Sequence, residues 1–377
     1  MSEYQYYEFQ AIDRPLTSSE IDKLRSYSTR ARITSTSFVN DYSWGSFKGD
    51  EDAWMEKYFD AFLYLANWGT HVLKLRLPSH LLDVRTAKEY CGGESVREKA
   101  GKVIVSFLSE DEEGDDWVEG EDQLSSMISV RADLARGDLR ALYLGWLLRA
   151  QIGNLNDDGV EPPMPPGLGQ LSGSIESLAE FLRIDGDLID VAAQASPPLN
   201  DAAATRPALQ AWVANLPDKE KDETLAKLIL GGDHAVIAAL QQRFFKAHAD
   251  EITKPARVRR TVAALLRAAE EQSEKRRRAE AKLCAKATAR REREAALARE
   301  KHLKSLAGRE GKLWADVKSL VASKRQLDFD RAVTILVDLR DLAAGEAGSD
   351  FQLRVRELRQ MHARKRTFLE RLEIAGL

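Results

Sequence analysis

The sequence predicts an α+β N-terminal domain followed by a mostly α-helical remainder. Three observations carry that expectation. Residues 1–110 alternate short β-branched or aromatic runs with helix-like segments. Four prolines and four glycines crowd into Asn154–Gly173. Beyond Pro255 neither proline nor glycine interrupts the chain until Gly308. A chain of 377 residues suggests two or three folded units.

Taken in order, Tyr4–Ile12 alternates as a strand, with Tyr7, Phe9 and Ala11 on one face. Thr17-Ser18-Ser19-Glu20 is a capping box that opens a short helix. Arg32–Val39 is β-branched and reads as a second strand. A loop carries Tyr42, Trp44 and Phe47, after which Asp50 caps a helix. Trp54, Tyr58 and Phe62 fall on one stripe of that helix, and Asn67-Trp68-Gly69 stops it. Val72–Leu77 and Lys102–Leu108 are further strands. The order predicts a small mixed sheet with helices on one face. An acidic loop, residues 110–122, and a helical stretch, Leu124–Ile152, complete an α+β domain over residues 1–153.

Asn154–Gly173 is expected to be a Pro/Gly linker, because that composition cannot hold a regular element. Residues 174–250 carry short helices with punctuated ends and predict a small helical bundle. Residues 255–307 predict one long, charged, basic helix: Ala, Glu, Lys and Arg dominate, and no heptad seam supports a coiled coil. Residues 308–377 return to apolar periodicity and predict a helical-hairpin module.

The net charge of −4 conceals a polarity along the chain. Residues 251–377 hold 31 basic and 19 acidic side chains, so the preceding part is strongly acidic. Such asymmetry speaks of partners rather than fold. No apolar run of membrane-spanning length and no signal-like start are evident, and the two cysteines, Cys91 and Cys284, do not make a disulfide framework. A cytoplasmic protein with no membrane contact is expected.

Three stretches, YQYYEFQAIDRPLT at the start, PPMPPGLGQL in the linker and RKRTFLERLEIAGL at the end, resemble a widespread family of uncharacterised bacterial proteins. The resemblance implies a bacterial cytosolic protein and attaches no activity. Trp314, Leu320 and Phe329-Asp330-Arg331-Ala332-Val333 resemble the tetratricopeptide pattern. At most one and a half repeats fit, without the packing glycine or terminal proline, so the segment reads as an α-hairpin.

Candidate chemistry is sparse. His71, His80, His234, His248, His302 and His362 show no metal-ligand spacing, so no metal and no cofactor are expected. Asp233-His234 reads as a helix cap before an acid–base pair, and Cys91-Gly92-Gly93 as a turn before a nucleophile. Gly167–Gly173 and Gly308–Lys312 lack the spacing of phosphate loops. The acidic loop lacks the order of a calcium loop.

The strongest signal is the basic helix. Arg276, Arg277, Arg278, Arg290, Arg291 and Arg293 are its densest cations and the candidate nucleic-acid contacts. Interleaved glutamates and missing aromatics argue for a solvated spacer, for an acidic protein partner, or for a dock for the acidic loop. Tyr42, Trp44 and Phe47 are candidate interface anchors. The best-fitting function is a non-enzymatic protein-interaction or adaptor protein with a spacer helix. The alternative is a nucleic-acid-binding component, and the third reading is an enzyme without a recognisable motif.

Overall fold

The computed structural model describes residues 4–111, 120–199, 206–231, 234–248, 259–323, 325–343 and 348–377. The chain divides into two compact units, Met1–Arg276 and Arg277–Leu377. The architecture is the α+β-then-α one that the sequence predicts.

In the first unit, β1 (Gln5–Gln10), β2 (Arg32–Ile33), β3 (Ser37–Tyr42), β4 (Ala61–Ala66), β5 (Thr70–Pro78), β6 (Val96–Lys99) and β7 (Lys102–Glu110) form one sheet of order β2-β3-β1-β4-β5-β7-β6. With seven strands the sheet is larger than expected, and every pairing is antiparallel, so it is not mixed. Nor are helices confined to one face. Tyr7, Phe9, Phe38 and Phe62 share an aromatic face with Trp54 and Phe59, covered by α1 (Ser18–Arg25) and α2 (Glu51–Lys57). Leu63, Leu65, Leu73, Leu75, Val105 and Phe107 form the other face. It packs on α3 (Val84–Cys91), α4 (Gln123–Met127), α5 (Ser129–Ala135), α6 (Arg140–Gln151), α7 (Gly173–Phe181) and α8 (Gly186–Ala193). Helix α6 is buried almost all round, as a helix at the centre of a core must be.

Two local signals act as expected. Thr17 and Glu20 form the reciprocal capping box of α1. The Asp50 side chain accepts from the Ala53 N–H at 3.0 Å and caps α2.

The aromatic stripe through Phe62 is not helical. Helix α2 ends at Lys57, and Ala61–Ala66 is strand β4. A six-residue apolar run flanked by turns is ambiguous between buried strand and buried helix, because both of its faces are covered. Asp60 decides the break. Its Oδ2 accepts from the N–H groups of Ile12 (2.7 Å) and Asp13 (2.9 Å), and its Oδ1 from Arg76 Nη2 (2.7 Å) and Nε (3.1 Å). Asn67-Trp68-Gly69 is the hairpin turn between β4 and β5, not a helix stop, with Gly69 at φ +91°.

Asn154–Gly173 does not separate two cores. Pro162, Pro165, Gly167 and Leu168 are buried, and Leu168 belongs to the same apolar cluster as the sheet. Val160 forms a β-bridge with Thr261, and the Glu161 N–H donates to Arg260 O at 2.9 Å. Arg260 also clamps the buried Glu161 carboxylate through Nη2 (2.8 Å) and Nε (3.1 Å). The extended backbone at Arg260 and Thr261 delays the long helix, which runs as α12 from Val262 to Leu306. Pro255–Val258, where a start was expected, lie outside the described residues. Val262, Leu265 and Ala269 anchor its first turns in the first unit's core. Compactness therefore divides the chain within α12, not at Asn154–Gly173.

The second unit packs α13 (Glu310–Ala322), α14 (Gln326–Leu342), α15 (Gly348–Met361) and α16 (Arg366–Ile374) around Val317, Val321, Leu336, Leu358 and Phe368. Asp338, buried on α14, accepts from His302 Nε2 at 2.9 Å and from Arg299, tying in the end of α12.

Candidate functional site

The residues weighed for chemistry in the sequence have structural roles. The His71 ring is buried and stacks on Phe181 at 4.7 Å. Its Nδ1 lies 2.7 Å from Phe181 O and its Nε2 3.0 Å from Arg183 Nη2. A carbonyl only accepts and a guanidinium only donates, so the proton sits on Nδ1 and the ring is neutral. Burial, with the Arg183 charge adding to it against the Phe181 hydrogen bond, holds its pKa below the ordinary imidazole value. Cys91 ends α3 in the core, where burial pushes its thiol up to about 12, far from a reactive thiolate. In the Gly167–Gly173 loop the carbonyls of Gly167 and Gln170 accept from the Arg140 guanidinium (3.2 and 2.8 Å). That polarity is the reverse of an anion cradle, which needs N–H groups. Among the described residues, no three His, Cys, Asp or Glu converge as a metal ion would require. Asp233 and residues 112–119 of the acidic loop lie outside the described residues.

The aromatic loop splits. Phe47 stacks on Tyr7 at 5.0 Å and meets Trp54 edge-on at 4.8 Å. Tyr42 meets Tyr7 edge-on at 5.6 Å. Both pack against the aromatic core, while Trp44 is 72% exposed with the Arg30 guanidinium 5.7 Å from its ring.

The six arginines also divide. Arg276 reaches the buried Asp187 carboxylate through Nη2 (2.8 Å) and Nε (3.1 Å), so it anchors α12 to α8. Arg290 Nε donates to Glu294 at 2.7 Å, one turn on. Arg277, Arg278, Arg291 and Arg293 are exposed.

An apolar groove lies within residues 206–248, where the sequence predicts only short helices. Helices α9 (Arg206–Ala214), α10 (Asp218–Gly231) and α11 (His234–His248) enclose a groove of about 600 Å³. Trp212 and Phe244 meet edge-on at 5.6 Å in it. Leu209, Val213, Leu225 and Ile237 line its walls and stay exposed, Leu225 to 57%. The polar lining is Lys221, Thr224 and Gln241. Lys221 Nζ is spent on Ala214 O (3.0 Å) and Asp218 (3.2 Å). Helix α11 is two-sided. Ala238 and Ala239 pack on the main core and Gln242 Nε2 donates to Leu81 O at 3.0 Å, while Ile237, Leu240 and Phe244 face the groove. A smaller cavity of about 240 Å³ lies on the body side of α11. Its Arg131 and Asp13 already bond each other at 2.6 Å.

The sequence signal for this groove was available but faint. Leu209 with Val213, and Ile237 with Leu240 and Phe244, repeat at helical spacing. Against known proteins, the chain matches no family model, no curated protein and no solved structure.

Proposed function

We propose that this is a non-enzymatic interaction protein whose α9–α11 groove receives the apolar face of an amphipathic helix from a protein partner. The observation that carries this reading is the exposure of Leu209, Val213, Leu225 and Ile237 around a Trp212–Phe244 floor. Three helices line the groove, and their backbone groups are already bonded within the helices, so strand addition has no free edge to use. Helix-in-groove recognition, read through residues at i, i+3, i+4 and i+7, is the mode that remains. Among the described residues the lining holds no acid–base pair and sets no base beside Thr224, which favours binding over catalysis. Burying two or three aliphatic side chains at about 1.5–3 kcal/mol each contributes about 3–9 kcal/mol before the cost of association, so weak, transient binding is expected.

A displayed library of 18-residue amphipathic helices selected on the full chain tests this. Enriched sequences should carry an apolar i, i+3/4, i+7 pattern. Leu225→Asp and Val213→Asp, both at exposed positions, should weaken their binding at least tenfold. Binders that ignore both substitutions, or no enrichment of the pattern, would overturn the reading.

A further inference from the structure

The geometry points to a second binding surface: a cationic stripe on α12 that takes the phosphate backbone of duplex nucleic acid without reading its sequence. At about 100° per residue, the charges between Arg278 and Arg293 segregate instead of mixing, and Glu271 and Glu300, which share the cationic side, lie beyond the two ends of that window. Arg278, Lys282, Lys286, Arg290 and Arg293 fall within one sector about 120° wide, spaced four, four, four and three residues apart. The other residues of that sector between Arg278 and Arg293 are Ala279 and Ala289. Glu280, Glu292 and Glu294 all lie outside it. All five cations are exposed. Lys282, Lys286 and Arg293 form no ion pair among the described residues, and Glu294 approaches Arg290 from the neighbouring face.

The stripe rises about 22 Å along the axis, close to one cation every 6 Å. An even row of point charges on a rigid rod suits an evenly charged polymer, because each neutralised phosphate releases a counterion. Helix α12 contains no Phe, Trp or Tyr, so it offers no stacking platform for single-stranded bases. A protein partner would need a buried apolar anchor. Leu283 is the one large aliphatic side chain between Arg278 and Arg293, and it sits at the margin of the sector.

Binding of a fluorescent mixed-sequence 20-base-pair DNA duplex to the full chain, titrated against salt, decides the matter. The wild type should bind at low salt with a log–log slope of about −4 to −5, a loss of a few hundredfold between 50 and 200 mM. Two charge-matched variants separate stripe from bulk charge. Lys282→Gln with Lys286→Gln should flatten the slope by about 2. Arg277→Gln with Arg291→Gln, which removes the same charge from the opposite side, should leave it within about 0.5. Helicity measured by circular dichroism controls for folding, since glutamine sustains a helix nearly as well as lysine. Equal losses in the two variants, or no duplex binding at 20 mM salt, overturn the proposal. Preference for poly-glutamate over duplex also overturns it, in favour of an acidic protein partner.

Discussion

Replacing Asp60 with asparagine removes one charge and keeps the shape. The carboxylate is 1% exposed and accepts four hydrogen bonds, two on each oxygen. An amide offers one oxygen. Whichever way it is turned, its NH₂ faces two donors, either the Ile12 and Asp13 N–H groups or the Arg76 guanidinium. Arg76, itself buried, also loses its counter-charge, and its Nη1 bonds to Met55 O and Glu56 O cannot replace it. Breaking a buried pair from one side costs about 3–5 kcal/mol. Hydrogen exchange read on peptides from β1 and β4 should show protection falling by roughly two to three and a half decades. Peptides from α14, in the second unit, serve as the internal reference and should not change. The pH dependence gives a second readout. Burial works to raise the Asp60 pKa, but the Arg76 guanidinium and the two backbone donors outweigh it and hold the carboxyl below the usual aspartate range. The unfolded state then binds the proton more tightly. The stabilisation is complete above about pH 4 and is lost as pH falls through the folded pKa. In Asp60→Asn that part of the acid limb should disappear. A loss below about 1 kcal/mol, or an unaltered acid limb, would refute the assignment of Asp60 as the charge that fixes the junction of α2 and β4.

Two further outcomes follow from the same sheet. The folded-state pKa of His71 is depressed, so its contribution is present above about pH 6.5 and is lost as pH falls through the folded value; His71→Gln should remove that slope from a stability profile between pH 7 and 5. Gly69→Ala requires φ +91° of an L-residue and places a Cβ 1.7 Å from Asp111 O, so it should lower the melting temperature and cost at least about 2 kcal/mol.

The parts of the fold that were legible in sequence are those decided locally. The capping box at Thr17, the cap at Asp50 and the helix-forming composition of 262–306 each act through neighbours in the chain. What was hidden is decided by distant partners. Ala61–Ala66 became a strand because β1 and β5 flank it and both faces are covered. Asn154–Gly173 looked like a linker because its composition forbids regular structure. Irregular backbone can still be buried where its polar groups find partners, and here Arg260, Arg140 and Tyr90 supply them through Glu161, Gly167, Gln170 and Pro163.

The same distinction governs the candidate sites. Density along the chain singled out Arg276, Arg277, Arg278, Arg290, Arg291 and Arg293, yet neighbours in sequence diverge by about 100° around a helix axis. Arg276 turns to the buried Asp187 and works as an anchor. Arg277 and Arg291 face away from Arg278 and Arg293, whose side is shared by Lys282 and Lys286, two lysines that a search for clusters passes over. Counting glutamates as interleaved likewise averages over the circumference, although between Arg278 and Arg293 none of them falls in the sector of Arg278, Lys282, Lys286, Arg290 and Arg293. For a surface helix, the informative unit is the face, and between Arg278 and Arg293 one face carries its cations at nearly constant spacing. Solubility depends chiefly on how many charges there are. A polyanion depends on where they point, which is why two variants of equal charge suffice to tell the two apart.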